Sequence, residues 1–160
     1  RPRDTTDNPL PCGNSAAALG FLRVAAYSGE GRYWDLWLET VKTAEDVMAR
    51  APGAFANWLR AHQLGHAGLR ELALVGDPDS PAIMRFQEIV ASEFRPDLVL
   101  AGRAPEATSG VELLRNRPPA AAGVTAGTAG AAATAWLCRG TTCSAPLIDP
   151  GSLAKALAVR

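Results

Sequence analysis

The chain has 160 residues, 48% apolar and 20% charged, the proportions of a soluble globular protein of one domain, or one and a part of another. Its 16 basic and 16 acidic residues cancel and are interleaved, which argues against the basic stripe that nucleic acid or an anionic membrane surface would require. Apolar runs are broken well short of the ~20 residues that cross a bilayer, the start lacks a secretory apolar segment, and three cysteines are too few for a disulfide scaffold, so the expected setting is the reducing cytoplasm.

Residues 7–13 (DNPLPCG) hold two prolines and a glycine and read as a rigid loop. A helix over 16–26 follows, with Asn14 or Ser15 as its N-cap. Arg23 is its only charge, the pattern of a helix covered on most of its sides. After the turn 28–31 (SGEG), a helix over 32–51 carries Tyr33, Trp37, Val41, Ala44 and Met48 on one face, and Pro52 and Gly53 stop it. A third helical stretch, 54–64, places Phe55, Leu59 and His62 along one side and ends in the glycine-punctuated run 65–68.

From there the period changes. The short apolar runs 72–75 (LALV) and 98–101 (LVLA) read as strands of a parallel sheet covered on both faces. Between them a helix over 81–94, capped by Ser80 or Asp79, shows a stripe of Ile83, Phe86, Val90 and Phe94. Together these make a βαβ unit. A short helix over 110–115, a third strand over 135–138 and a last helix opened by Pro150, with Leu153, Leu157 and Val159, complete the elements. Residues 118–133 are almost entirely Ala, Gly, Pro and Thr and read as a flexible connection.

The fold class is therefore mixed α/β: a helical part over 1–66, then an α/β part over 67–160 with a short parallel sheet. Two or three helices do not close a core, and the apolar surface of 16–26 needs further helices upstream to cover it. The chain is accordingly expected to be the C-terminal portion of a larger protein.

The opening DNPLPCGNSAAA, the segment ELALVGDPDSP and above all the ending ATAWLCRGTTCSAPLIDPGSLAKAL resemble the C-terminal region of the spermatogenesis-associated protein 20 family, whose bacterial members include YyaL. Cys12 stands where that family's pattern has a serine, and Gly140 and Thr141 where it has Asn and an aromatic residue. The resemblance implies a longer parent with an N-terminal thioredoxin-like domain and an (α/α) toroid of helical hairpins, similar to sugar epimerases and six-hairpin glycosidases. Residues 1–66 would be its terminal hairpins and 67–160 a C-terminal appendage. Two functions from different classes follow: a carbohydrate-directed toroid, or a non-catalytic packing or interaction module with any redox chemistry in the thioredoxin-like domain. The partners expected are that N-terminal part of the parent and a sugar ligand; no cofactor is expected.

In a toroid, ligands bind where loops open onto the cavity, so Asp7, Asn8, Asn14 and Ser15 form the first candidate site, a set suited to hydroxyl-rich ligands. The alternative is that Asn14 caps the helix and Asp7 faces water. Cys138 and Cys143 are separated by four residues, where a redox dithiol usually has two. They read as two thiols held by a turn, as a reversible disulfide, or as half of a metal site whose other ligands could come only from Cys12, His62 and His66. His62 and His66 would share a helix face if the helix ran through Gly65. Gln63 occupies the place of a zinc protease's glutamate, which favours a core or interface role. Residues 76–80 (GDPDS) lie between strand and helix, where open sheets bind phosphate, yet Asp77 and Asp79 would repel an anion, leaving a turn with a cap. Trp34, Trp37 and Trp58 could stack on sugars but suit core packing as well.

Overall fold

In the computed structural model, which describes residues 4–119, 133–140 and 142–159, the chain separates into two units, Arg1–Leu69 and Arg70–Arg160.

The first unit is helical. Helix α1 (Gly13–Ser28) begins earlier than its apolar run suggests because its N-cap is Cys12, not Asn14 or Ser15: the Cys12 sulfur accepts from the Ser15 N–H at 3.4 Å. It buries Ser15, Ala18, Leu19 and Leu22 and leaves Val24 exposed. The single helix expected over 32–51 is two, α2 (Gly31–Lys42) and α3 (Glu45–Arg50). At the break, the N–H groups of Thr43 and Ala44 reach back only to Thr40 and Val41, and the Thr43 hydroxyl donates to the Thr40 carbonyl at 2.7 Å. Such side-chain bonds compete with the helical ladder. The apolar stripe survives the break, with Trp37, Val41, Ala44 and Met48 all buried.

Pro52–Ala54 form a 3-10 turn leading into α4 (Ala56–Ala67). This helix turns Trp58, Ala61, Leu64 and Gly65 inward, correcting the expected face of Phe55, Leu59 and His62: Phe55 precedes the helix and Leu59 is exposed. The indole of Trp58, buried to 1% exposure, carries far more apolar area than Leu59 and sets the rotation. Gly65 does not end the helix; it admits the Trp37 ring, which lies against it where a Cβ would stand. The stop is Gly68, at φ 77°, whose N–H closes on the Leu64 carbonyl.

The second unit contains β1 (Arg70–Val75), α5 (Pro81–Ala91), β2 (Leu98–Arg103), a 3-10 turn Glu112–Leu114, β3 (Thr134–Arg139), β4 (Thr142–Cys143) and α6 (Pro150–Ala158). The strand order is β2-β1-β3-β4. β1 and β2 run parallel with Arg70 opposite Leu98, the expected βαβ unit; β3 runs antiparallel to β1 with Glu71 opposite Cys138. The sheet is thus mixed rather than parallel. A parallel third strand would need a crossover, usually a helix, and residues 118–133 have no apolar periodicity to build one. Of that connection, all but Pro118, Pro119 and Ala133 lies outside the described residues.

One face of the sheet packs Leu72, Leu74 and Ala135 against Ile83 and Phe86 of α5 and Leu153 and Leu157 of α6. On β1 and β2, the 3-10 turn contributes the buried Leu113 and Leu114. Ser80 caps α5, its hydroxyl accepting from the Ile83 N–H. Since α5 ends at Ala91, Phe94 falls off the expected stripe and is 87% exposed; Val159, just past α6, is also exposed. Arg70, nearly buried, makes a bidentate pair with Asp97 (Nε to Oδ2 2.7 Å, Nη2 to Oδ1 3.1 Å) and donates to the Leu157 carbonyl, tying β1 to the end of α6.

Candidate functional site

Asp7 is the centre of the first candidate site, and its geometry follows from the loop around it. The Asp7 N–H donates to the Ala54 carbonyl, which brings the loop to the start of α4. One carboxylate oxygen accepts from the Cys12 N–H at 3.0 Å and the Ser15 hydroxyl at 2.6 Å. The other accepts from the N–H groups of Asn57 at 2.8 Å and Trp58 at 3.2 Å. Those two N–H groups belong to the first turn of α4, where no intrahelical acceptor exists, so Asp7 caps that helix from fifty residues away in sequence. Burial raises the Asp7 carboxyl, but the bonds from Ser15, Cys12, Trp58 and Asn57 outweigh it and hold the pKa below the ordinary value of 3.8.

Ser15 is wholly buried, its hydroxyl accepting from the Asn57 amide at 3.0 Å while donating to Asp7. Asn8 and Asn14 are exposed. The four predicted residues therefore do not converge: Asp7 and Ser15 are joined in an internal network, and the two asparagines stand apart from it. What adjoins Asp7 is an open cleft of about 440 Å³ lined also by Pro9, Leu10, Asn57 and Arg60. Neither Asn57 nor Arg60 is distinguishable in the sequence from any polar residue on a helix, so nothing there marks them as cleft residues.

The second candidate site is at the sheet edge. Cys138 and Cys143 face each other across the β3–β4 ladder and are joined in a disulfide. Cys138 is buried and Cys143 exposed. Arg117, unremarked in the sequence, places Nη2 at 3.2 Å from both sulfurs, with its guanidinium 5.7 Å from the centre of the Trp136 ring. Glu71, opposite Cys138 in register, is half-buried; burial pushes its carboxyl above the ordinary 4.5, partly countered by Arg117. A shallow groove of about 490 Å³, lined among others by Arg139, Thr142 and Ser144, runs alongside the disulfide.

His62 and His66 do share a face of α4, with ring centroids 4.4 Å apart, and His66 meets Trp37 edge-on. Among the described residues no group of three or more His, Cys, Asp or Glu gathers as metal ligands. Asp77 accepts from the Asp79 N–H through its side chain and from Ser80 through its carbonyl, forming the turn before α5. Trp37 and Trp58 are buried, Trp37 donating to the Ala61 carbonyl and Trp58 to that of Thr5; Trp34 is exposed. No helix among the described residues is long and apolar enough to cross a membrane.

Compared with known proteins, the chain is similar to human spermatogenesis-associated protein 20, at 26% identity over 164 residues. The mouse and rat proteins of the same name are 24% and 25% identical over 167 residues. Each alignment covers 98% of this chain and 19% of the relative, so the chain spans about a fifth of their length. The resemblance seen in the motifs thus extends along nearly the whole chain. No protein-family model and no solved structure matches it.

Proposed function

We propose that this chain is a non-catalytic packing and interaction module of a larger cytoplasmic protein related to spermatogenesis-associated protein 20. In that protein, as the resemblance implies, redox chemistry belongs to an upstream thioredoxin-like domain and residues 1–66 are the last hairpins of a helical toroid. The observation that carries this reading is the saturation of Asp7: both carboxylate oxygens are engaged by two donors each from its own unit. A carboxylate so engaged cannot act as a general base or bind a sugar hydroxyl without breaking a helix cap.

A carbohydrate-directed role is the second reading, favoured by the open cleft beside Asp7 with Asn57 and Arg60 in its lining. Isothermal titration of the chain with glucose, N-acetylglucosamine and their short oligomers separates the two. The packing reading expects no saturable heat. Saturable binding that Arg60→Ala abolishes, with the circular dichroism spectrum unchanged, would overturn it in favour of the carbohydrate one.

A further inference from the structure

The second site goes beyond a packing role. We propose that Cys138–Cys143 is an exchangeable disulfide, reduced by a protein dithiol that attacks Cys143, with Arg117 holding the Cys138 thiolate as it leaves. Three observations point this way. Only one sulfur is open to attack, since Cys143 is exposed while Cys138 is buried. A guanidinium nitrogen stands 3.2 Å from each sulfur, and a cation so placed favours the thiolate over the thiol. The Arg117 Nε is buried without an acceptor among the described residues, whereas the Arg70 guanidinium donates through Nε, Nη1 and Nη2 to partners within the fold. A disulfide serving only as a staple needs no cation at its sulfurs. The groove along β4 gives an extended segment of the reductant a place to lie, with Arg139 at its side to favour an acidic one.

The exchange balances without any further reagent. A thiolate of the reductant attacks the Cys143 sulfur, forming a mixed disulfide and expelling the Cys138 thiolate beside Arg117. The reductant's second thiol, losing its proton, attacks its own sulfur in the mixed disulfide and releases Cys143 as a thiolate. Two electrons pass from the reductant, which leaves as a disulfide, and the two sulfurs here take up its two protons.

Thiol counting on the whole chain tests this. Denatured after oxidation, the protein should titrate one thiol, that of Cys12; after native incubation with dithiothreitol it should titrate three. Arg117→Met should slow native reduction roughly tenfold, since a leaving thiol without its cation departs more slowly, and Arg117→Lys should restore most of the rate. After reduction, iodoacetamide should alkylate Cys143 well before Cys138, read by peptide mass. Failure of the bond to form with oxidised glutathione would overturn the proposal. So would a bond that yields to dithiothreitol only in denaturant, or one reduced at the same rate in Arg117→Met. Should the Met variant not fold, the alkylation order in the native protein decides by itself: equal rates, or Cys138 first, would sink the assignment.

Discussion

Replacing Asp7 with alanine removes the acceptor for four donors at once. A hydrogen bond to a charged group contributes about 1.5–3 kcal/mol and loss of a helix cap costs about 1 kcal/mol. The four do not add in full: the Ser15 hydroxyl can turn to the Cys12 carbonyl at 3.1 Å, and water can reach the cleft side of the α4 terminus. We therefore expect Asp7→Ala to lower the stability of the first unit by roughly 2–4 kcal/mol. Urea unfolding followed by tryptophan emission is the assay, since Trp58 takes both its backbone contact to Asp7 and its indole contact to Thr5 from this loop. The effect also has a pH signature. Because the folded Asp7 pKa lies below 3.8, its contribution is present above that pH and is lost as pH falls through the folded value. Asp7→Asn should flatten that acid limb. A loss below about 0.5 kcal/mol, the range of an ordinary surface substitution, would refute the cap and return Asp7 to the list of free ligand groups.

Gly65→Ala would drive a methyl group into the Trp37 ring, and overpacking of this kind costs about 1–3 kcal/mol; thermal melting of the first unit should show it, and an unchanged midpoint would mean Trp37 sits elsewhere. Asp97→Ala leaves the guanidinium of Arg70, a residue 7% exposed, with only carbonyl partners, for a loss on the order of 3 kcal/mol measurable by urea titration with circular dichroism. The folded Glu71 pKa is raised, so the carboxyl's contribution is fully present below about 4.5 and is lost as pH rises through the folded value. Glu71→Gln should therefore be less sensitive than the parent to a change from pH 4 to pH 7, read from melting temperatures.

How much of this was legible beforehand depended on the range of the signal. The βαβ unit, the Ser80 cap and the stripe from Trp37 to Met48 follow from local period and capping chemistry, and each is present. The face of α4 did not, because three positions at helical spacing cannot say which neighbour they meet, and Trp58 outweighs Leu59 only once α1 lies beside it. The break at Thr43 rests on hydroxyl bonds that a stripe does not register. At the sites, the sequence names candidate residues but not the partners they meet. Asp7 meets α4 and Arg117 meets the cysteines through contacts spanning fifty and more than twenty residues, and no spacing rule reaches that far.

The bond from Asp7 to α4 also bears on the order in which the first unit assembles. Its two ends are separated by α1, α2 and α3, so closing it is cheapest once those helices have drawn the ends together, and the loop is expected to close late. An interaction made that late is absent from the folding barrier and present against unfolding. The loop should then behave as a latch: Asp7→Ala should release the native state several times faster in stopped-flow urea jumps and leave the refolding rate almost untouched.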